Sequence, residues 1–145
     1  MRTKEFVDQL EHDRIVGAIR DAESKTSAEI RVFIERGDLA AEPLLVAQKK
    51  FQKLGMHRTA ERNGVLIFVA PRARKFAVVG DEGIHARCGE GYWQSVVDLM
   101  TGHFRNARFS DAIAEAIQDV GEVLGRHFPK SPDDTNELPD EIVEG

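Results

Sequence analysis

The sequence predicts a single α/β domain in which a small mixed β-sheet lies between helices. An unbroken apolar run at residues 65–69, bounded by Asn63-Gly64 and by Pro71, is typical of a strand that is buried on both faces. A second apolar run follows at residues 76–79. Amphipathic helical patterns precede and follow the two runs, so helices are expected on both faces of the sheet. The length of 145 residues suits one such domain.

Three strands are predicted, at residues 28–35, 64–70 and 75–80. The connection between the last two is only a few residues long, which requires an antiparallel pair. A helix lies between the first two strands, so these two should run parallel with a right-handed crossover. Three strands are few for the number of helices, and the sheet is expected to gain another short strand that the sequence does not locate.

Four longer helices are predicted from apolar residues at three- and four-residue spacing. Asp38 is a candidate cap for the second helix and Ser110 for the last, which Pro129 should end. The helices cover residues 4–24, 38–54, 90–104 and 110–128, and a short helical turn is expected at residues 84–88.

The domain is predicted to extend from residue 1 to residue 129, with the helix of residues 1–24 packed on it. Residues 130–145 are rich in acidic side chains, contain two prolines and have almost no large apolar groups. Such a composition buries too little apolar surface to offset the loss of chain entropy on folding. A mobile acidic tail is therefore expected there.

The composition argues against several classes of function. A net charge of −5 disfavours nucleic acid as the main partner, because phosphate binding needs a clustered basic surface. Arg72, Arg74 and Lys75 form a small basic patch, interpreted as the solvated tip of a hairpin, with contact to an anion as the alternative. Cys88 is the only cysteine, which excludes a disulfide framework or a CxxC site. The chain has no apolar leader or spanning run, so a cytoplasmic location without direct membrane insertion is expected.

Several segments of the chain, in this order, resemble the TPM-domain family. They are LGMHRTAERNGVLIFVA, RKFAVVGDEGIHARCG, a helix that contains Trp93, and FSDAIAEAIQDVGEVLGRHFP. The most specific part is the Asn-Gly-Val-Leu strand followed at matching spacing by the charged hairpin and the Gly-Asp-x-Gly-Ile turn. The family includes a thylakoid-lumen acid phosphatase and many bacterial proteins. The resemblance implies a Rossmann-like, three-layer α/β/α sandwich.

The resemblance also implies a divalent-cation site, with calcium or magnesium as the cofactor, in an acidic groove at the strand ends. By motif position, Glu61 corresponds to the acidic residue before Asn-Gly, and Asp81 and Glu82 are the carboxylates of the turn. This chain departs from the commonest family pattern, because Arg62 stands between Glu61 and the Asn-Gly pair. An arginine at this point leaves less negative charge to offer a cation.

The same turn is the first place to look for chemistry from the residues themselves, since α/β sheets bind ligands outside their strand ends. Asp81, Glu82, Glu61 and Glu90 are candidate oxygen ligands, of the kind that hard cations take. The alternative interpretation is a cluster of surface carboxylates that binds no metal.

A cation held there would neutralise a phosphate monoester and activate a water molecule. His85 is then the candidate catalytic base, and Arg58 and Arg62 are candidate phosphate-binding residues. The alternatives are an exposed histidine that opens a helical turn, and ion pairs of the two arginines with Glu61 and Glu90.

Two functions from different classes remain open at this point. The first is a divalent-metal-dependent acid phosphatase acting on small phosphomonoesters, which the resemblance implies. The second is a non-catalytic module that binds a metal or another protein, for example a membrane-anchored relative of the same family. The sequence has no G-x-S-x-G motif and no cysteine with a plausible histidine neighbour, which favours the second.

Overall fold

The structure is a computed structural model, and it describes residues 11–89, 92–106, 108–130 and 142–144. These ranges form an α/β fold with a four-stranded sheet, which confirms the predicted fold class. The elements in chain order are α1 (His12–Glu23), β1 (Glu29–Ile34), α2 (Pro43–Lys53), a 3-10 turn (Met56–Arg58), β2 (Gly64–Ala70), β3 (Lys75–Gly80), α3 (Glu82–Cys88), α4 (Tyr92–Arg105), α5 (Phe109–His127) and β4 (Ile142–Glu144).

The strand order across the sheet is β3-β2-β1-β4. β2 and β3 pair antiparallel, with Leu66 opposite Val79, and β1 pairs parallel to β2, with Val32 opposite Ile67. Both pairings confirm the sequence predictions. β4 runs parallel to β1 on its other side and is the additional short strand that was expected.

The C-terminal segment differs from its prediction at one place. Residues 142–144 form β4, so the mobile tail predicted for residues 130–145 does not hold for these three. Ile142 and Val143 are half-buried, and they pack against the cores on opposite faces of the sheet. Residues 131–141 lie outside the described residues, and the domain limits at residues 1 and 129 stay predictions.

Alternating side chains of the strands build one core on each face of the sheet. On one face, the odd-numbered residues of β2 pack with α1, α4 and α5, represented by Ile19, Met100 and Ile117. On the other face, Phe68 stacks on Phe33, with ring centroids 5.8 Å apart, and α2 covers them. The result is the expected layered arrangement, with helices on both faces and β2 at its centre.

Two predicted helix starts differ from the structure. α2 begins at Pro43, a residue that suits a first helical turn, whereas Asp38 lies upstream with its carboxylate 3.2 Å from Arg72. α5 begins at Phe109, one residue before the predicted cap. The Ser110 hydroxyl instead accepts a 2.9 Å hydrogen bond from the backbone N–H of Glu11, and so joins α5 to the start of α1.

Candidate functional site

The acidic turn of residues 80–83, called here the GDEG turn, follows β3. Because β3 is antiparallel to β2, with Gly80 opposite Val65, the turn lies at the end of the sheet where β1 and β2 begin. The rule that ligands bind beyond strand ends concerns the carboxyl ends of parallel strands. Its use for Asp81 was therefore wrong, since the carboxyl ends of β1 and β2 lie at the opposite end of the sheet.

Asp81 is buried and makes hydrogen bonds with both of its carboxylate oxygens. It caps α3 by accepting a 2.8 Å hydrogen bond from the backbone N–H of Glu82. Arg62 donates to the two oxygens through Nε at 2.8 Å and Nη2 at 3.0 Å. These hydrogen bonds raise the pKa of Arg62 above its ordinary value. The Arg62 Nη1 atom also lies 3.3 Å from Glu82, so one guanidinium contacts both carboxylates of the turn.

The backbone also fixes the loop before β2 against the GDEG turn. Arg62 has a φ of 52°, a left-handed conformation that is uncommon for a residue with a side chain. Its carbonyl oxygen accepts a 2.9 Å hydrogen bond from the N–H of Gly83. A Cβ atom on Gly83 would lie 2.3 Å from the Glu61 carbonyl oxygen, so only glycine fits this approach. The backbone hydrogen bond and the Arg62–Asp81 ion pair together hold the loop before β2 against the GDEG turn.

The other candidate site residues are more dispersed. The exposed Glu61 accepts a 3.3 Å hydrogen bond from the Ser27 hydroxyl. Arg58 is exposed and forms no ion pair with another described residue. His85 is exposed, with its ring edge-to-face to Trp93 at 6.2 Å between centroids. Glu90 lies outside the described residues. The structure therefore brings together Asp81, Glu82 and Arg62, and Arg62 pairs with these two carboxylates instead of Glu61.

The described residues do not fit a cation centred on Asp81. The guanidinium of Arg62 occupies both carboxylate oxygens, which are the atoms that a calcium or magnesium ion would take. Within the described ranges, no group of three or more histidine, cysteine, aspartate or glutamate side chains is close enough to hold a metal ion. The metal assignments, which include Glu90, stay predictions.

A groove along the outer edge of β3 is a feature that the sequence interpretation missed. It has a volume of about 450 Å³. Residues 76–80 of β3 line it together with Leu44 and Gln48 from α2 and Trp93 and Val97 from α4. His85, predicted as a catalytic base, also lines this groove. The sequence did contain a signal for an edge strand. β3 is the second strand of a hairpin and is followed by helices, so β2 is its only strand partner among the neighbouring elements of the chain.

A second cavity of about 560 Å³ adjoins the groove and shares Phe76 with it. Three aromatic rings line this cavity, with Phe104 edge-to-face to Phe76 at 5.0 Å and to Phe109 at 5.6 Å. Three exposed cationic side chains line it as well: Arg74, Lys75 and Arg105. Two of them belong to the basic patch predicted at the hairpin, whereas Arg72 of that patch pairs with Asp38.

The described helices include none that is long and apolar enough to cross a membrane. This finding bears on the described residues alone.

Comparisons with known proteins agree with the fold. An NMR structure of the BA42 protein from the psychrophilic bacterium Bizionia argentinensis is 36% identical to this chain, with a TM-score of 0.86 over 93% of this chain and 92% of that one. The N-terminal domain of a P. gingivalis protein, also solved by NMR, is 22% identical, with a TM-score of 0.61 over 77% of this chain and 72% of that one; this likeness shows the fold alone. The comparison with curated proteins finds no match. The family model of the TPM domain, named TPM phosphatase, matches residues 2–123. The chain therefore belongs to the TPM-domain family.

Proposed function

We propose that this chain is a non-catalytic TPM domain whose function is to bind another protein. The observation that carries the proposal is the ion pair between Arg62 and Asp81. A metal-dependent phosphatase needs carboxylates that are open to a cation. Here the central carboxylate is 6% exposed, caps a helix and accepts two hydrogen bonds from an arginine. The GDEG turn thus resembles a structural link more than a reaction centre.

The surface beside β3 supports the binding part of the proposal. The groove and the adjoining aromatic cavity offer apolar walls and backbone groups, which are the features that protein partners use. The partner named from the resemblance, a membrane-anchored relative of the same family, remains a prediction, and so does the cytoplasmic location.

A metal-dependent acid phosphatase acting on small phosphomonoesters is the second candidate. The name of the matching family model favours it. In this candidate Arg62 leaves Asp81 and joins Arg58 in binding phosphate, while His85 accepts a proton. The carboxylate freed in this way would take the calcium or magnesium ion.

Titration of metal-stripped protein with calcium and with magnesium, followed by hydrolysis of p-nitrophenyl phosphate in each, tests the two candidates. The wild type is expected to show neither cation binding nor turnover. Arg62→Ala is the matched variant, because it frees Asp81 and leaves the carboxylates in place. If Arg62→Ala binds a cation weakly and the wild type does not, the Arg62 guanidinium occupies the position that a cation would take beside Asp81.

The phosphatase would be established by cation-dependent turnover of the wild type that Asp81→Asn abolishes. In that case Asp81→Asn should also lower calcium affinity by at least about tenfold, or 1.4 kcal/mol. Turnover that is independent of cations and unchanged in Asp81→Asn would point to a contaminating enzyme.

A further inference from the structure

We propose that the outer edge of β3 binds an extended acidic peptide segment that carries a bulky apolar residue, and adds it to the sheet as a further strand. The inference rests on the proposed function and deepens it, because it names the surface and the chemistry of the partner. Addition of a strand to an open sheet edge is a common mode of peptide recognition, with affinity from main-chain hydrogen bonds and specificity from side-chain pockets.

The hydrogen-bond pattern of the hairpin shows which backbone groups of β3 face outward. The N–H of Asp81 donates to the Gly64 carbonyl at 3.0 Å, so these two residues form a hydrogen-bonded antiparallel pair. Such pairs alternate along the ladder, and every second residue of β3 before Asp81 therefore bonds to β2. The N–H and C=O groups of Phe76, Val78 and Gly80 consequently point away from β2. No described strand lies on that side.

The side chains of β3 are buried slightly less completely than those of the central strand β2, and Phe76 and Gly80 are half-buried. Every apolar residue of β2 from Val65 to Ala70 has an exposure of 0%, whereas Ala77, Val78 and Val79 in β3 retain 7%, 7% and 9%. The groove of about 450 Å³ runs beside these residues, between α2 and α4. An incoming strand would therefore find unpaired main-chain groups at the base of a groove with apolar walls.

The aromatic cavity supplies a site for one large apolar side chain. It begins at Phe76, where the groove ends, and its 560 Å³ lie within the usual size range of ligand sites. The rings of Phe76, Phe104 and Phe109 line it in edge-to-face contact. A side chain of a strand bound along β3 that enters this cavity would be aromatic or long and aliphatic, because such groups pack well against aromatic rings.

The charges at this end of β3 select acidic residues in the partner. Arg74, Lys75 and Arg105 are exposed, and in the described part of the chain none of them forms an ion pair. Three cations on one cavity contrast with the net charge of −5 of the whole chain. Glu42, at the start of α2, also lines the groove, but the described lining of the aromatic cavity contains no acidic residue. The acidic residues of the peptide should therefore lie at the Lys75 end.

Fluorescence polarisation with two labelled peptides tests the inference. Both alternate threonine and valine and contain one phenylalanine near the end, followed by two aspartates in the first peptide and by two lysines in the second. The acidic peptide is expected to bind at least about tenfold more tightly, with the difference shrinking as salt rises. The Lys75→Glu/Arg105→Glu double variant should remove this preference. Lys49→Glu/Lys53→Glu is the matched control, because it makes the same change of charge on an exposed part of α2 that does not line the groove.

Val78→Pro tests the main-chain part separately. Proline removes the outward N–H without removing a hydrogen bond to β2, and edge strands tolerate proline at such positions. Val78→Pro should lower the affinity for the acidic peptide by at least about tenfold. Val78→Ala loses packing but keeps the N–H, so it should bind the peptide with nearly the affinity of the wild type. Circular dichroism shows whether each variant is folded. If Val78→Pro does not fold, the charge variants alone test whether the peptide binds at β3.

Equal binding of the two peptides, no binding of either, or an affinity that the β3 variants leave unchanged would overturn the inference. Sedimentation of the free protein provides a further criterion, since a dimer that Val78→Pro dissociates would mean that β3 pairs with a second copy. These outcomes leave the proposed function standing. Cation-dependent hydrolysis by the same sample would instead refute the proposed function, whatever the peptides do.

Discussion

Removal of the Asp81 side chain should lower the free energy of unfolding, by an amount that can be estimated from the hydrogen bonds it makes in the GDEG turn. In Asp81→Ala the N–H of Glu82 loses its capping acceptor and Arg62 loses both hydrogen-bond acceptors. Loss of an N-cap costs about 1 kcal/mol, and loss of a buried charged acceptor adds to it, so the variant should be less stable by about 2 kcal/mol in all. For a domain of this size the melting temperature should fall by about 7 °C.

Two matched variants separate the cap from the charge. Asp81→Asn keeps an oxygen for the Glu82 N–H, and asparagine is as good an N-cap as aspartate, so it should lose clearly less stability than Asp81→Ala. Glu82→Ala removes an exposed carboxylate next to the same arginine and should change stability by less than about 0.5 kcal/mol. Urea unfolding followed by circular dichroism gives all three values. The reasoning would be refuted if Asp81→Ala were as stable as the wild type, or if Glu82→Ala were the most harmful of the three.

Three further predictions concern Gly83, β4 and the ion pair of Arg14 with Asp111. Gly83→Ala should cost about 2 kcal/mol by thermal unfolding because its Cβ would meet a carbonyl oxygen, whereas Gly102→Ala, in an open position of α4, should raise stability by up to about 1 kcal/mol. Ile142→Asp, which puts a charge into β4, should cost about 1 kcal/mol in urea unfolding, and an unchanged midpoint would show that β4 adds nothing. A hydrogen bond from Arg14 lowers the pKa of Asp111 in the folded protein. The pair therefore stabilises the fold at pH values above the unfolded-state pKa of about 3.9. This stabilisation is lost as the pH falls through the lower pKa of the folded state. Asp111→Asn should therefore be less stable than the wild type at pH 7, but the two should unfold alike near pH 2.

The central hairpin could be predicted because its signals are local. The apolar run of β2 and the short connection to β3 determine strand and orientation within about twenty residues, and a helix between β1 and β2 makes that pair parallel. β4 could not be located, because three residues with two apolar side chains give no periodic pattern. Its pairing depends on the exposed edge of β1, which only the folded sheet presents.

The candidate site was predictable in its parts but not in its pairing. The sequence indicated Asp81 as a metal ligand or as one of a cluster of surface carboxylates, whereas the structure shows it buried as the N-cap of α3. The ion pair with Arg62 depends on the left-handed backbone of that residue, which forms only where the loop meets Gly83. The pairing of Arg62 with Asp81 thus depends on tertiary structure, and the ion pairs expected from the sequence were with Glu61 and Glu90 instead.

The position of β4 has a consequence for how molecules of this protein can associate. An open sheet edge is a template for pairing with any other chain, and a sheet with two long open edges can propagate into a filament. In the described part of the chain, β4 pairs with residues 32–34 of β1 and is only three residues long, which makes it too short to be a good template itself. Among the described strands, β3 therefore presents the longer edge without a strand partner. A peptide bound along β3 would occupy the edge that a second copy of the chain would need for β-pairing, so peptide binding and self-association should compete for the same surface.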